Sequence, residues 1–265
     1  MVRGLVRFLN NSSLLVAFAA AALTTESFIL SGTSIRVWVV VEIFFITWCG
    51  YVFLRRKERP PYQKPLIYIS VTGSIICFFL TGFFGWPILL TSGVIVLVYN
   101  FSSLNTLKLE QFIPRQITFL KPAAVGIAWA LTTSVWPAYF GTVQKSYYYL
   151  LFISIFFFIT ALAICDDIRD MNRDTGNTKT LPLAIGLEPT RIIVIIHLLI
   201  ATMLFCLTNK YQTERITNGY VVSMIGIALI TLNIRPQGNH HIQALIIDGS
   251  ILLRAIVIAL LSLSF

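Results

Sequence analysis

The chain has 265 residues, of which 57% are hydrophobic and only 12% charged, and its mean hydropathy is +0.81. Those values exclude an ordinary water-soluble domain, in which about a quarter of residues carry charge. The formal net charge of +9 does not point to nucleic acid, because excess Lys and Arg in so apolar a chain encode membrane topology. Cys49, Cys77, Cys165 and Cys206 are scattered through apolar runs with no CxxC pair, which suggests neither a disulfide framework nor a zinc site.

Apolar runs near 20 residues recur along the chain, and each is long enough to cross the hydrocarbon core as a helix. The expectation is an all-α polytopic membrane protein of nine transmembrane helices, one domain over residues 1–265. Arg3 and Arg7 lead into span one, Ser12–Leu30, taken as uncleaved because further spans follow at once. Span two is Ile35–Leu54, and a basic loop Arg55–Arg59 ends at Pro60-Pro61. Span three, Leu66–Phe83, turns through Gly85 into span four, Pro87–Leu104. After a polar connection come span five, Pro122–Phe140, and span six, Tyr147–Cys165. Spans seven, eight and nine are Thr190–Thr208, Thr217–Ile234 and Gln243–Ser264.

This division places fifteen Lys and Arg on the side of the N-terminus and four on the other, with Arg254 inside span nine. The imbalance puts the N-terminus in the cytoplasm and the C-terminus on the opposite side. Tyr147, Tyr148, Tyr149, Trp129 and Trp136 lie near span ends, where interfacial aromatic belts are expected.

Span six runs into Cys165-Asp166-Asp167-Ile168-Arg169-Asp170-Met171-Asn172-Arg173-Asp174. On a helix Asp167, Asp170 and Asp174 are spaced i, i+3 and i+7 and share one stripe. Stacked carboxylates repel unless a cation sits among them. Such a stripe can hold Mg²⁺ against a diphosphate, with Arg169, Arg173 and Lys179 facing the phosphate. It can equally be a solvated helix end laced by Asp–Arg pairs. Ionisable residues inside spans also invite a function. Glu42, His197, Asp248 and Arg254 are of this kind, and Glu42 is the expected partner of Arg254. His197 reads as a packed, hydrogen-bonded residue, and His240-His241 as surface.

The segment Asp167–Gly186, D-I-R-D-M-N-R-D-T-G-N-T-K-T-L-P-L-A-I-G, resembles the second signature of the UbiA superfamily of intramembrane prenyltransferases. That signature is D-x-x-D-x-x-x-D followed by a Lys/Arg-Thr-Leu-Pro run and a Gly, just after the sixth of nine helices. The resemblance implies a helical bundle around a central cavity, with Mg²⁺ and an isoprenyl diphosphate at the aspartates. It implies Asp167, Asp170 and Asp174 as catalytic metal and diphosphate ligands, with Arg169, Arg173 and Lys179 binding substrate. The family's first aspartate motif should follow span two, where Cys49–Glu58 contains no Asp. Tyr51 and Arg55 there resemble a subgroup pattern, and they join the expected substrate-binding residues, Arg55 by direct contact with diphosphate. The implied reaction is Mg²⁺-dependent transfer of a prenyl group to a lipophilic acceptor in a bacterial inner membrane, without nucleic acid. A terpene cyclase, or a non-catalytic lipid-binding or transport protein on the same fold, are the alternatives.

Overall fold

The computed structural model describes residues 8–54, 64–81, 86–87, 89–91, 93–94, 119–140, 145–172, 180–208 and 211–263. Among them the secondary structure is entirely helical. The helices are α1 (Leu14–Leu30), α2 (Val37–Leu54), α3 (Lys64–Thr81), α4 (Leu120–Ala130), α5 (Trp136–Tyr139), α6 (Lys145–Asp170), α7 (Leu181–Ile185), α8 (Leu187–Cys206), α9 (Glu214–Thr231) and α10 (His240–Leu263). Among the described residues, α6, α8 and α10 are long and apolar enough to cross a membrane. At 1.5 Å per residue the 26 residues of α6 reach about 39 Å. Spans one, two, three and five to nine each coincide with described helix, whereas most of span four lies outside the described residues. α8, α9 and α10 start about a turn before their apolar runs. Glu188 and Glu214 occupy the first turns of α8 and α9, where a carboxylate complements the helix dipole.

Several hydroxyl side chains within the spans are satisfied by carbonyls of their own helix, where no water is at hand. Thr24 and Ser27 of α1 return their hydroxyls to the carbonyls of Ala20 and Leu23 at 2.8 and 3.0 Å. The expected span five is one continuous path with a defect in its middle. Pro137 lacks an N–H and its ring crowds the preceding turn. There the chain widens into a π-helix, Leu131–Val135, between α4 and α5. Thr133 and Ser134 donate to the carbonyls of Trp129 and Ala130 at 2.7 and 2.6 Å, re-satisfying backbone that the bulge loosens.

α6 packs against α4 on one side and α8 on the other; α1 lies between α2 and α10, and α9 joins α10. At Gly126 of α4 a Cβ would run into the Thr160 hydroxyl of α6, so glycine sets how closely these helices approach. Large apolar residues such as Ile192, Met203, Val222 and Leu260 are exposed, the outward face expected against acyl chains.

Two expectations about interior polar groups change. Arg254 pairs with Glu26 of α1, not with Glu42, because α10 packs on α1 whereas Glu42 is enclosed at the α2–α3 seam beside Thr81. Arg254 Nε donates to Glu26 Oε2 at 3.2 Å, and its Nη2 lies 3.1 Å from Oε1. The guanidinium stacks 3.9 Å over the Phe158 ring and donates from Nη1 to Tyr220 Oη at 3.3 Å. Tyr220 Oη reaches Ser154 Oγ, which donates to the Ala201 carbonyl at 2.8 Å. One buried network thus ties α1, α6, α8, α9 and α10. Tyr147, expected in an aromatic belt, is instead fully buried and donates to the Leu30 carbonyl at 2.6 Å. Tyr149 is exposed, in keeping with the belt.

Candidate functional site

α6 does not end with its apolar run. It continues as helix through Asp170, so the first aspartates project in helical register beyond the apolar segment. The register separates them. Asp167 is buried and faces α4, where it accepts a 2.8 Å charged hydrogen bond from Lys121 Nζ. Asp170, about 60° further round the helix, faces α10 and meets His240 Nε2 at 2.8 Å.

Arg169 lies between two carboxylates. It forms an ion pair with Asp166 one turn back, and donates from Nε and Nη2 to Asp170 at 3.0 and 2.8 Å. Asp166, outside the D-x-x-D spacing, is therefore joined to the site through Arg169. Asp248 of α10 adds to the negative field around Arg169. Burial pushes the Asp170 carboxyl upward, but hydrogen bonds from His240 and Arg169, with their charges, hold it well below the usual carboxylate range. Asp170 is thus ionised at neutral pH.

The site therefore draws on three helices. α6 supplies Asp166, Asp167, Arg169 and Asp170, α4 supplies Lys121 from its first turn, and α10 supplies His240 and Asp248. The connection to α8 shows why the Thr-Leu-Pro run and the glycine follow. Pro182 lies in the first turn of α7, and Gly186 joins α7 to α8 at φ 92°, a conformation open to glycine at little cost. Arg173, Asp174, Lys179 and Arg55 lie outside the described residues. Tyr51 is described: Trp129 Nε1 donates to its hydroxyl at 3.4 Å. Trp129 is eight residues along α4 from Lys121, about 12 Å along the helix axis. His197 bonds the Ile193 carbonyl through Nδ1 at 2.8 Å and lies against the rings of Phe119 and Phe157, the packed role expected.

Sequence reasoning missed Lys121 and His240. Lys121 counts in the sequence only as a topology signal, and His240 carries no motif. Both are found only through the packing of α4 and α10 beside α6.

Among the described residues no three His, Cys, Asp or Glu side chains converge as a metal cluster. The donor chemistry nevertheless fits Mg²⁺, a hard cation that takes carboxylate oxygens. Asp167 and Asp170 present such oxygens at the helix end, each now balanced by a protein cation.

No family model matches the chain, and no curated protein matches it. A solved structure, that of a digeranylgeranylglyceryl phosphate synthase, matches 97% of this chain and 96% of its own with a TM-score of 0.54 and 15% identity. The chain shares the fold of that membrane synthase. At that identity the likeness establishes architecture, and any activity must be argued from the residues.

Proposed function

We propose that this protein is a membrane-embedded prenyltransferase that takes an isoprenyl diphosphate at the aspartate end of α6 and passes the prenyl group to a lipophilic acceptor. The observation that carries this reading is the pairing of Asp166, Asp167 and Asp170 with Lys121, Arg169 and His240 at one helix end. That cluster sits in a bundle similar along its whole length to a prenyltransferase.

Ionising an allylic diphosphate breaks the C1–O bond, and the diphosphate leaves with the electron pair. The allylic cation then bonds to a nucleophilic atom of the acceptor, which gives up its proton. The protein's part is to bind the leaving group and stabilise the charge it gains. Lys121 and Arg169 are suited to this, because each is already at the site and is held by a carboxylate it can exchange for phosphate. Asp167 and Asp170, with Asp174, would hold Mg²⁺. The ion would supply the divalent charge that screens the diphosphate. Lys179, Arg173 and Arg55 are the further phosphate partners, and Tyr51 belongs deeper, on the path of the prenyl chain. The excess of Lys and Arg on the aspartate side makes that end cytoplasmic, in a nine-helix topology.

The sequence after α2 offers cations where the family places its first aspartate motif. That substitution favours, as a second reading, a protein that binds the lipid diphosphate without turning it over. Titration calorimetry of the purified protein with farnesyl and geranylgeranyl diphosphate in Mg²⁺ tests the binding common to both. Saturable binding is expected, and Asp167→Asn combined with Asp170→Asn should abolish it while leaving the helical content unchanged. No binding of either probe, or equal binding by the double variant, contradicts both readings.

A further inference from the structure

A groove of about 980 Å³ lies between α9 and α10, a size that accommodates a drug-sized ligand. It opens at the end of the bundle opposite the aspartates. The order of the chain fixes this: α10 starts beside Asp170 at His240, so its last turns, and the first turns of α9, lie at the other end. Gln212, just before α9, accordingly bonds Tyr147 near the start of α6. Gly219, Ser223 and Gly226 line it from α9 and Leu253, Val257 and Leu261 from α10; Gly219 packs directly on Leu261, so the groove runs along the outer face of this seam. The wall at Gly226 is open, for a Cβ there would meet no atom within 4 Å. Val222, beside it on the same lining, is exposed on the apolar outer surface.

The mouth differs in chemistry from the walls. Glu214, Arg215 and Asn218 border it, all exposed, in the first turns of α9, where the helix dipole favours an anion. An apolar cleft topped by one cation, one anion and an amide complements a zwitterionic lipid headgroup above an acyl chain. A second copy of the chain packing through Gly219, Ser223 and Gly226 would have to bring this charged mouth against another helix, at a desolvation cost.

We propose that this groove is a site for a zwitterionic aminophospholipid of the leaflet opposite the aspartates. One acyl chain lies along the α9–α10 seam past Gly226, the phosphate meets Arg215, Asn218 and the amino end of α9, and the ammonium meets Glu214. The site is independent of the diphosphate chemistry at the other end of the bundle.

Native mass spectrometry of the full chain tests this, after equilibration with equal amounts of phosphatidylethanolamine and phosphatidylglycerol. The wild type should retain one phosphatidylethanolamine per chain, several-fold over phosphatidylglycerol. Gly226→Leu, which fills open space, should lose that lipid with an unchanged unfolding midpoint. Glu214→Gln, at an exposed position and carrying the test should the leucine variant not fold, should equalise the two lipids. The proposal is overturned by a wild type that retains neither lipid or prefers phosphatidylglycerol. Undiminished retention in Gly226→Leu, an unchanged preference in Glu214→Gln, or a dimer lost on Gly226→Leu in place of bound lipid would overturn it equally.

Discussion

Two charge networks among the described residues are built to opposite ends. The one around Arg254 is sealed: Arg254 and Glu26 are 0% and 1% exposed, and aromatic rings cover the guanidinium. The one around Arg169 is open at its rim, with the side chains of Lys121 and Asp166 43% and 40% exposed. In a sealed network each member exists for the others, and removing one leaves a buried charge uncompensated. In an open one the members at the rim, here Lys121 and Asp166, can exchange a protein partner for a ligand or water. The first therefore ties helices together, and the second has the freedom a binding site needs.

This contrast has measurable consequences, the largest at the sealed end. Arg254→Leu strands Glu26 and should cost about 3–5 kcal/mol of stability in detergent, whereas Glu26→Leu with Arg254→Leu should recover most of it. A tolerated single variant would show that the network is not closed. Lys121→Met leaves the buried Asp167 carboxylate without that ammonium and should cost about 1–3 kcal/mol, read from the unfolding midpoint. An effect as large as that of Arg254→Leu would erase the distinction.

The pH response sharpens it further. Because the folded pKa of Asp170 is lowered, its contribution is present above the unfolded pKa and is lost only as pH falls through the folded one. The stability difference between wild type and Asp170→Asn should thus not shrink until the pH falls to about 4, the ordinary aspartate value, and should shrink below it. Shrinkage already near pH 6 would mean that His240 and Arg169 do not hold the carboxylate. The smallest effect belongs to Asp166→Asn, about 0.2–1 kcal/mol, since that pair is partly solvated.

The sequence discloses the two networks unequally. Spans are legible because hydropathy is a local property, and the ends of the described helices lie within three residues of the expected ones, except that α6 continues past Cys165 to Asp170. The i, i+3 spacing of Asp167 and Asp170 is legible for the same reason. Their partners are not, since Lys121 is 46 residues from Asp167 and His240 is 70 from Asp170. Glu26 and Glu42 look alike in sequence, each a lone carboxylate in an apolar span. Only the placement of α1 against α10 decides which of them meets Arg254. Burial likewise separates Tyr147 from Tyr149, which sequence sets side by side in one belt.

In the function we propose, the open network binds and activates an allylic diphosphate. Release of pyrophosphate from a prenyl diphosphate by the purified protein, with lipophilic acceptor and Mg²⁺ present, measures it most directly. Mg²⁺-dependent release by the wild type, abolished in Asp170→Ala with the fold intact, is the expected result. No release at any prenyl chain length, or release undiminished in Asp170→Ala, would contradict the account.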